Sequence, residues 1–247
     1  TGAALCEIHD RYRTPPDLTA MTLTAVILTR DEERHIARCL ESLARVADRV
    51  LVVDSGSKDR TVEIARELGA EVRENPWINY ALQMNWGIDR VPDCTEWILR
   101  IDADEVVTPG LAAEIAAKLH GLPAEIDGVY VSRRMTFLGR PIRWGGIFPV
   151  RVLRLFRAGR GRCENRWMDE HILVDGAKAE FAGEIVDDNR NSLTWWTQKH
   201  NAYASREVVD LLNLEDGFMP HETVADLRGG QQAGVKRWLK ERVYARL

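Results

Sequence analysis

Between Thr22 and Gly121, short runs rich in β-branched residues alternate four times with stretches of helical period, and nothing else in the chain restricts its fold as much. "TLTAVILT" (22–29) is an apolar run followed by "ERHIARCLESLARV" (33–46), which places Ile36, Cys39, Leu40 and Leu43 on one helical face. Thr29 or Asp31 is placed to cap that helix, and Glu32 and Glu33 suit its positive first turn. "RVLVVD" (49–54) predicts a second strand, "RTVEIARELG" (60–69) a short helix closed by Gly69, and "AEVRE" (70–74) a third strand. "NYALQMNWGIDRV" (79–91) predicts a helix and "EWILRI" (96–101) a fourth strand. Thr108-Pro109 then supplies an N-cap and a first-turn proline for "GLAAEIAAKLHG" (110–121), with Leu111, Ile115 and Leu119 in register. Such alternation predicts an α/β fold, a mostly parallel sheet with helices on both faces. In sheets of this kind ligands bind beyond the carboxyl ends of the strands.

Polar residues collect at those ends. The first strand closes on Thr29-Arg30-Asp31, the second on Asp54-Ser55-Gly56-Ser57, and the fourth on Asp102-Ala103-Asp104. One such group usually makes only a turn. Three in a single alternating unit mark a site. Neither GxGxxG nor GxxxxGK[ST] is present, so neither a dinucleotide fold nor a P-loop is indicated. The phosphates of a ligand here need another counter-charge. Mg²⁺ or Mn²⁺ held by the Asp102 and Asp104 carboxylates would supply it, since both ions take oxygen ligands shared with phosphate.

Composition sets the outer bounds. The 247 residues are 45% hydrophobic and 29% charged, enough for one large or two small domains. A net charge of −4 argues against nucleic acid as a partner. Cys6, Cys39, Cys94 and Cys163 form no CxxC pair, which predicts neither a zinc site nor a disulfide framework and fits a reducing, cytoplasmic compartment. No run of about 18 apolar residues is present to span a membrane. Residues 1–21, with Thr14-Pro15-Pro16, read as an irregular leader, with Met21 as a natural start. In "GVKRWLKERVYARL" (234–247), Val235, Trp238, Leu239 and Val243 form an apolar stripe ringed by Lys236, Arg237, Lys240 and Arg242. That pattern predicts either contact with an anionic membrane surface or a helix docked on its own domain.

Four segments together, "AVILTRDEERHIARCLESL", "VLVVDSGSKDRTVEIARELGAEV", "NYALQMNWGI" and "WILRIDADEVVTP", resemble the family 2 glycosyltransferases of GT-A fold. The resemblance covers residues 22–120. It continues through "VLRLFRAGRGRCENRWMDEHILVDG" and "TQKHNAYASREV", which are similar to bacterial members that build lipopolysaccharide core or surface polysaccharide. It implies a GT-A domain over 22–190, with a nucleotide-binding half (22–120) and an acceptor half (121–190), and a helical C-terminal extension over 191–247. It implies an inverting transfer from a UDP-sugar to a glycan or lipid-linked glycan at the inner face of the cytoplasmic membrane. Asp102 and Asp104 would hold the metal on the diphosphate. Thr29, Arg30, Glu33, Asp54, Ser55, Gln83, Asn85, Asp102 and Ala103 would line the nucleotide, with Asp54 on the uracil. Asp169-Glu170-His171 stands where the family carries its acidic motif, so Glu170 or Asp169 would be the general base. Trp144, Gly145, His171 and Lys199 are candidates for the acceptor side.

The chemistry agrees with that reading. Transfer from a nucleotide sugar leaves negative charge on the departing diphosphate, which a metal stabilises as a Lewis acid. A carboxylate across the sugar takes the acceptor's proton. Two rivals share the residues. "DADEV" also fits the nucleophile loop of haloacid-dehalogenase-like phosphatases, with Asp102 attacking phosphate, Asp104 as acid/base and Asp187-Asp188 as the later acidic pair, although that loop normally follows the first strand. A nucleotide-sugar-binding module without catalysis is the other. A sugar nucleotidyltransferase would need a glycine-rich first loop, and "LTRDEERH" has no glycine. The aromatic residues of "SLTWWTQKHNAYA" read as helix packing, and "IRWGGIFP" (142–149) as a loop after a strand.

Overall fold

The structure is a computed structural model that describes residues 22–145, 148–165 and 170–216. The alternating half folds as β1 (Thr22–Thr29), α1 (Ile36–Leu43), β2 (Arg49–Asp54), α2 (Thr61–Glu67), β3 (Glu71–Glu74), α3 (Tyr80–Ile88) and β4 (Thr95–Asp102). A short β5 (Glu105–Val107) leads into α4 (Pro109–Lys118). The remainder is β6 (Ile126–Phe137), β7 (Arg140–Pro141), β8 (Val150–Arg157), β9 (Gly161–Cys163), β10 (Ile172–Val174), β11 (Ala177–Asp188) and α5 (Leu193–Asp216).

The main sheet runs β3-β2-β1-β4-β8-β6-β11-β5, with β7 paired to β6. Its first four strands are parallel, as expected of strands joined by helical crossovers. The expectation of a mostly parallel sheet holds for that half alone. β8 pairs antiparallel with both β4 and β6, and β5 antiparallel with β11, while β6 and β11 are parallel. Among the described residues no helix intervenes between β6 and β8, and β8 returns antiparallel instead of crossing over.

Helices cover both faces, because successive strand residues point to opposite sides. Ala25 and Ile27 join α1, α2 and α4 in one core, through residues such as Leu40, Ala65 and Leu111. Val26 faces the other way, with Leu51, Val53 and Ile98, and meets Ala81, Met84 and Ile88 of α3. Gly87 permits that close approach: a Cβ there would stand 3.0 Å from side-chain atoms of both Val26 and Val53. Thr108 caps α4 by accepting from the Leu111 N–H (3.3 Å), and Asn79 caps α3 by accepting from Leu82 N–H (2.8 Å).

The start of α1 departs from the expectation. Neither Thr29 nor Asp31 caps it, and no acidic residue lies in its first turn. The Thr29 hydroxyl donates to Asp54, and Asp31, at φ 56°, accepts from the Lys58 N–H at 2.7 Å. Both side chains are drawn to the loop after β2, so the helix begins only at Ile36. Among the described residues, no helix is long and apolar enough to cross a membrane. The leader (1–21) and the basic stripe (234–247) lie outside the described residues.

Candidate active site

Side chains stitch the ends of β1, β2 and β4 together. Asp54, 1% exposed at the end of β2, accepts four hydrogen bonds: Thr29 Oγ1 (2.9 Å), the N–H groups of Gly56 (2.9 Å) and Ser57 (2.8 Å), and Ser57 Oγ (2.5 Å). Gly56 adopts φ +86°, a conformation glycine takes without a steric cost. Ser55 is fixed in turn by buried Gln83, whose Nε2 donates to its hydroxyl at 3.0 Å and whose Oε1 accepts from Asn75 at 2.7 Å. Arg30 and Glu33 lie exposed on the rim, and Glu33 ties the loops by accepting from the Arg60 N–H at 3.2 Å. Half-buried Asn85 pairs its amide both ways with the Cys163 backbone (2.8 and 2.9 Å), splinting α3 to β9 and leaving one Nδ2 hydrogen beyond that pair.

The carboxylate pair meets positive charge within the protein. Asp102 Oδ1 accepts from the Tyr80 hydroxyl at 2.8 Å, and Oδ2 accepts from Arg154 Nη2 at 3.2 Å, with Arg100 Nη2 at 3.9 Å. Burial acts to raise the Asp102 pKa, but Arg154 first, then Arg100 and the Tyr80 hydroxyl, hold it well below the usual carboxylate range. Arg154 also bonds Glu105 at 2.5 Å, and both side chains are 1% exposed. Burial pushes Glu105 up to about 7, with Asp102 adding and Arg154 opposing. Ala103 is buried between the aspartates.

Asp104 opens toward the end of β11. Its Oδ2 accepts from Asn189 Nδ2 at 2.9 Å, and its carbonyl accepts from the Asp188 N–H at 3.2 Å. Arg38 of α1 pairs with Asp188 at 2.6 Å. His35, buried, accepts at Nε2 from the Arg190 N–H (2.9 Å), so Nδ1 carries the proton toward Glu32. Burial, then Asp104, push Asp187 up to about 6. The Asp102 and Asp104 carboxylates offer oxygen ligands of the kind Mg²⁺ or Mn²⁺ takes, with the Arg154 and Arg100 cations beside Asp102. Among the described residues no group of three or more ligating side chains converges.

On the acceptor side, Glu170 lies just before β10, and Asp169 lies outside the described residues, as do Arg166 and Gly146. The buried Cys163 thiol is pushed up to about 12, by burial first, with Glu170, Glu164 and Asp102 adding and Arg100 opposing. His171 is turned to buried Glu164, which accepts from its N–H and faces its Nδ1, both at 3.1 Å. Lys199 lies over the rings of Trp195 (4.7 Å) and Tyr203 (5.7 Å). Burial lowers its pKa, but Tyr203, Asp104 and Glu32 together raise it. Trp144 and Gly145 are exposed. Trp196, read as helix packing, is 37% exposed, stacks on His200 at 3.7 Å within α5 and meets Phe137 edge-on at 5.5 Å.

Tyr80, Arg100, Glu105, Arg154 and Asn189 were not among the expected site residues. One signal was available for Arg100: it lies two residues before Asp102 on one strand, hence on the same face. Arg154 is brought to that level by the pairing Leu99↔Leu155.

Comparison with known proteins identifies the arrangement. The family model described as Glycosyl transferase family 2 matches residues 24–171. An uncharacterized glycosyltransferase of Rickettsia bellii (strain RML369-C) is 40% identical over 99 residues, covering 40% of this chain and 33% of its own. The lipopolysaccharide core biosynthesis glycosyltransferase LpsC of Rhizobium meliloti (strain 1021) is 32% identical over 163 residues, covering 63% of this chain and 58% of its own. The matched region is a third of the first relative's length and little over half of the second's. The crystal structure of S. aureus TarS is 12% identical and superposes on 81% of this chain and 41% of its own with a TM-score of 0.50. These matches set the phosphatase reading aside. Asp187-Asp188 do reach Asp104, but at the far edge of a sheet whose family is otherwise assigned.

Proposed function

This chain belongs to glycosyl transferase family 2, with the GT-A fold, and from that premise we propose that it carries an inverting, metal-dependent transfer from a UDP-sugar to a glycan or lipid-linked glycan. The single observation that carries the reading is the stitching of three strand ends into one edge, with Asp102 and Asp104 beside the Asp54 loop. α3 spans that edge, setting Tyr80 on Asp102 and Gln83 on Ser55. Thr29, Asp54 and Ser55 would hold the nucleoside, with Arg30 and Glu33 at the rim and buried Ala103 leaving its backbone to the ribose side. Asp54 would read the uracil by exchanging its Ser57 hydroxyl for the imide N–H. Asp102 and Asp104 would hold Mg²⁺ or Mn²⁺, which when bound supplies counter-charge to the leaving diphosphate. Glu170 would take the proton of the acceptor hydroxyl, with Asp169 the alternative. Lys199 and His171 would face the acceptor. LpsC, a lipopolysaccharide core enzyme by name, supports a lipid-linked glycan acceptor at the cytoplasmic face.

The test is a panel of nucleotide sugars incubated with the purified protein, with Mn²⁺ and then with excess chelator. Hydrolysis or transfer of a UDP-sugar that the chelator abolishes is expected. UDP affinity equal in both conditions, or unchanged in Asp104→Asn, would remove the metal assignment. Nucleotide-sugar binding with no transfer to any acceptor would favour the non-catalytic module.

A further inference from the structure

An exposed apolar surface lies at the tip of the β6–β7 hairpin and the start of α5. Leu138 is 70% exposed, Trp144 86% and Leu193 54%. Phe137 and Trp196, both exposed, join the hairpin to the helix by their edge-on contact. Across a shallow hollow, Leu138 and Gly139 face Arg190 and Asn191. Apolar side chains gathered in this way on a soluble surface mark an interaction site.

Its turn is chosen against local preference. Phe137 pairs with Arg140, leaving the two-residue loop Leu138-Gly139 at φ 49° and 75°. Such a turn favours Asn-Gly, since a branched side chain is disfavoured in the left-handed region. Here a leucine takes the strained position and points no apolar surface into the core. An unfavourable residue held at an exposed tip invites a functional account.

Charge names the partner. The chain is net negative, yet residues 128–163 contain nine arginines and no acidic residue. Arg134, Arg151, Arg154, Arg157 and Arg162 are paired with carboxylates from other elements, which leaves the hairpin end as the part whose arginines lack such a pairing among the described residues. Arg140 and Arg143 are exposed, and among the described residues neither is paired with a carboxylate. Protruding leucine and tryptophan flanked in sequence by Arg140 and Arg143 match an anionic bilayer surface, where apolar tips enter the headgroup boundary and basic residues meet lipid phosphates. A soluble anionic glycan would account for the arginines but not for Leu138 and Leu193.

We propose that the β6–β7 tip and the first turn of α5 dock this protein on an anionic membrane surface, holding the Asp104 edge toward a lipid-linked acceptor. The docking rests on the reading of such an acceptor, and it is independent of residues 234–247.

The test is flotation of the full chain with phosphatidylcholine vesicles, with and without phosphatidylglycerol, for wild type, Leu138→Asn and Leu138→Asn/Leu193→Asn. UDP binding, melting temperature and oligomeric state are followed on the same samples. Wild type should float with the anionic vesicles at low salt and lose binding as salt rises. Leu138→Asn should lower partitioning about tenfold, from the apolar area of one leucine, and the double variant should lower it further. Leu138→Asn should melt no lower than wild type, because asparagine suits the turn. Wild type that fails to float while still binding UDP would overturn the docking and leave the proposed function standing. Variants that float like wild type would also overturn it. So would variants that alter only the oligomeric state, or that lose binding to a soluble sulfated oligosaccharide when no vesicle binding exists.

Discussion

The buried pair of Arg154 and Glu105 supports the carboxylate edge from beneath, and its removal gives a measurable cycle. Arg154 Nη2 lies 2.5 Å from Glu105 and 3.2 Å from Asp102, and both members of the pair are 1% exposed. Arg154→Met leaves Glu105 buried without its cation, which should cost about 3–5 kcal/mol. Glu105→Gln leaves Arg154 its Asp102 contact and should cost about 2–3 kcal/mol, the worth of a hydrogen bond between charged groups. In the double variant no buried charge of the pair is stranded. Arg154 Nε and Nη1 already lack partners among the described residues, so their loss removes a desolvation cost as well. The double variant should be destabilised by less than the two single costs together, since only the loss of Arg154 from Asp102 remains, giving a coupling energy of about 1–3 kcal/mol. Urea melts at constant m provide the assay. Acid behaviour is the second readout. Asp102 titrates in the folded state below its ordinary 3.8, so its contribution to stability is present above that pH and is lost as pH falls through the lower folded value. Arg154→Met should raise the Asp102 pKa and flatten this acid limb. An Arg154→Met variant destabilised by less than about 1 kcal/mol, with the acid limb unchanged, would refute the reasoning.

Three further outcomes are expected. Glu170→Gln should keep metal-dependent UDP binding and lose transfer by about 10²–10⁴-fold, the range of a lost general base; near-normal turnover there with none in Asp169→Asn would reverse the two roles. UDP should bind more tightly than CDP, whose N3 has no hydrogen to offer Asp54, and calorimetry showing the opposite order would end that assignment. Cys39 and Cys163, buried with raised pKa values, should resist iodoacetamide at pH 8 while exposed Cys94 reacts, as peptide mass spectrometry would show; Cys163 modified at the Cys94 rate would contradict its place in the core.

The parallel half of the fold was legible because its signals are local. Apolar period, the Thr108 cap and the polar strand ends each lie within a few residues of the element they define, and the structure places α4, β4 and the Asp54 loop accordingly. The antiparallel half was not, because β6, β8 and β11 carry arginines and acids through their length. Arg154 on β8 reads as a solvated residue until the pairing with β4 buries it. Among the site residues, Asp102 was visible as a strand-end acid, but its partners come from α3, β4 and β8. Asn85 shows what distant elements add. It reads as a polar residue on a helix beside the strand ends, and only the position of β9 reveals that its amide also pairs with a backbone.

Asp54 is satisfied before any ligand arrives, and this shapes what it can bind. It accepts from four donors, while each oxygen of Asp102 accepts from one and Asp104 Oδ2 from Asn189. A ligand that binds at Asp54 exchanges hydrogen bonds instead of filling open ones, so each new contact there contributes only its excess over the bond it replaces. A uracil imide at Asp54 gains little over the Ser57 hydroxyl in affinity. It gains in discrimination, because a base without that donor would leave the carboxylate short of a partner once the serine had moved. At Asp102 the replaced partner is itself a cation. A divalent ion bound there, as proposed, would compete with Arg154, which has Glu105 at 2.5 Å to retain it when Asp102 is taken. The second carboxylate beneath the pair would then compensate the arginine charge in both states, and the net gain of a metal would depend on the diphosphate that came with it.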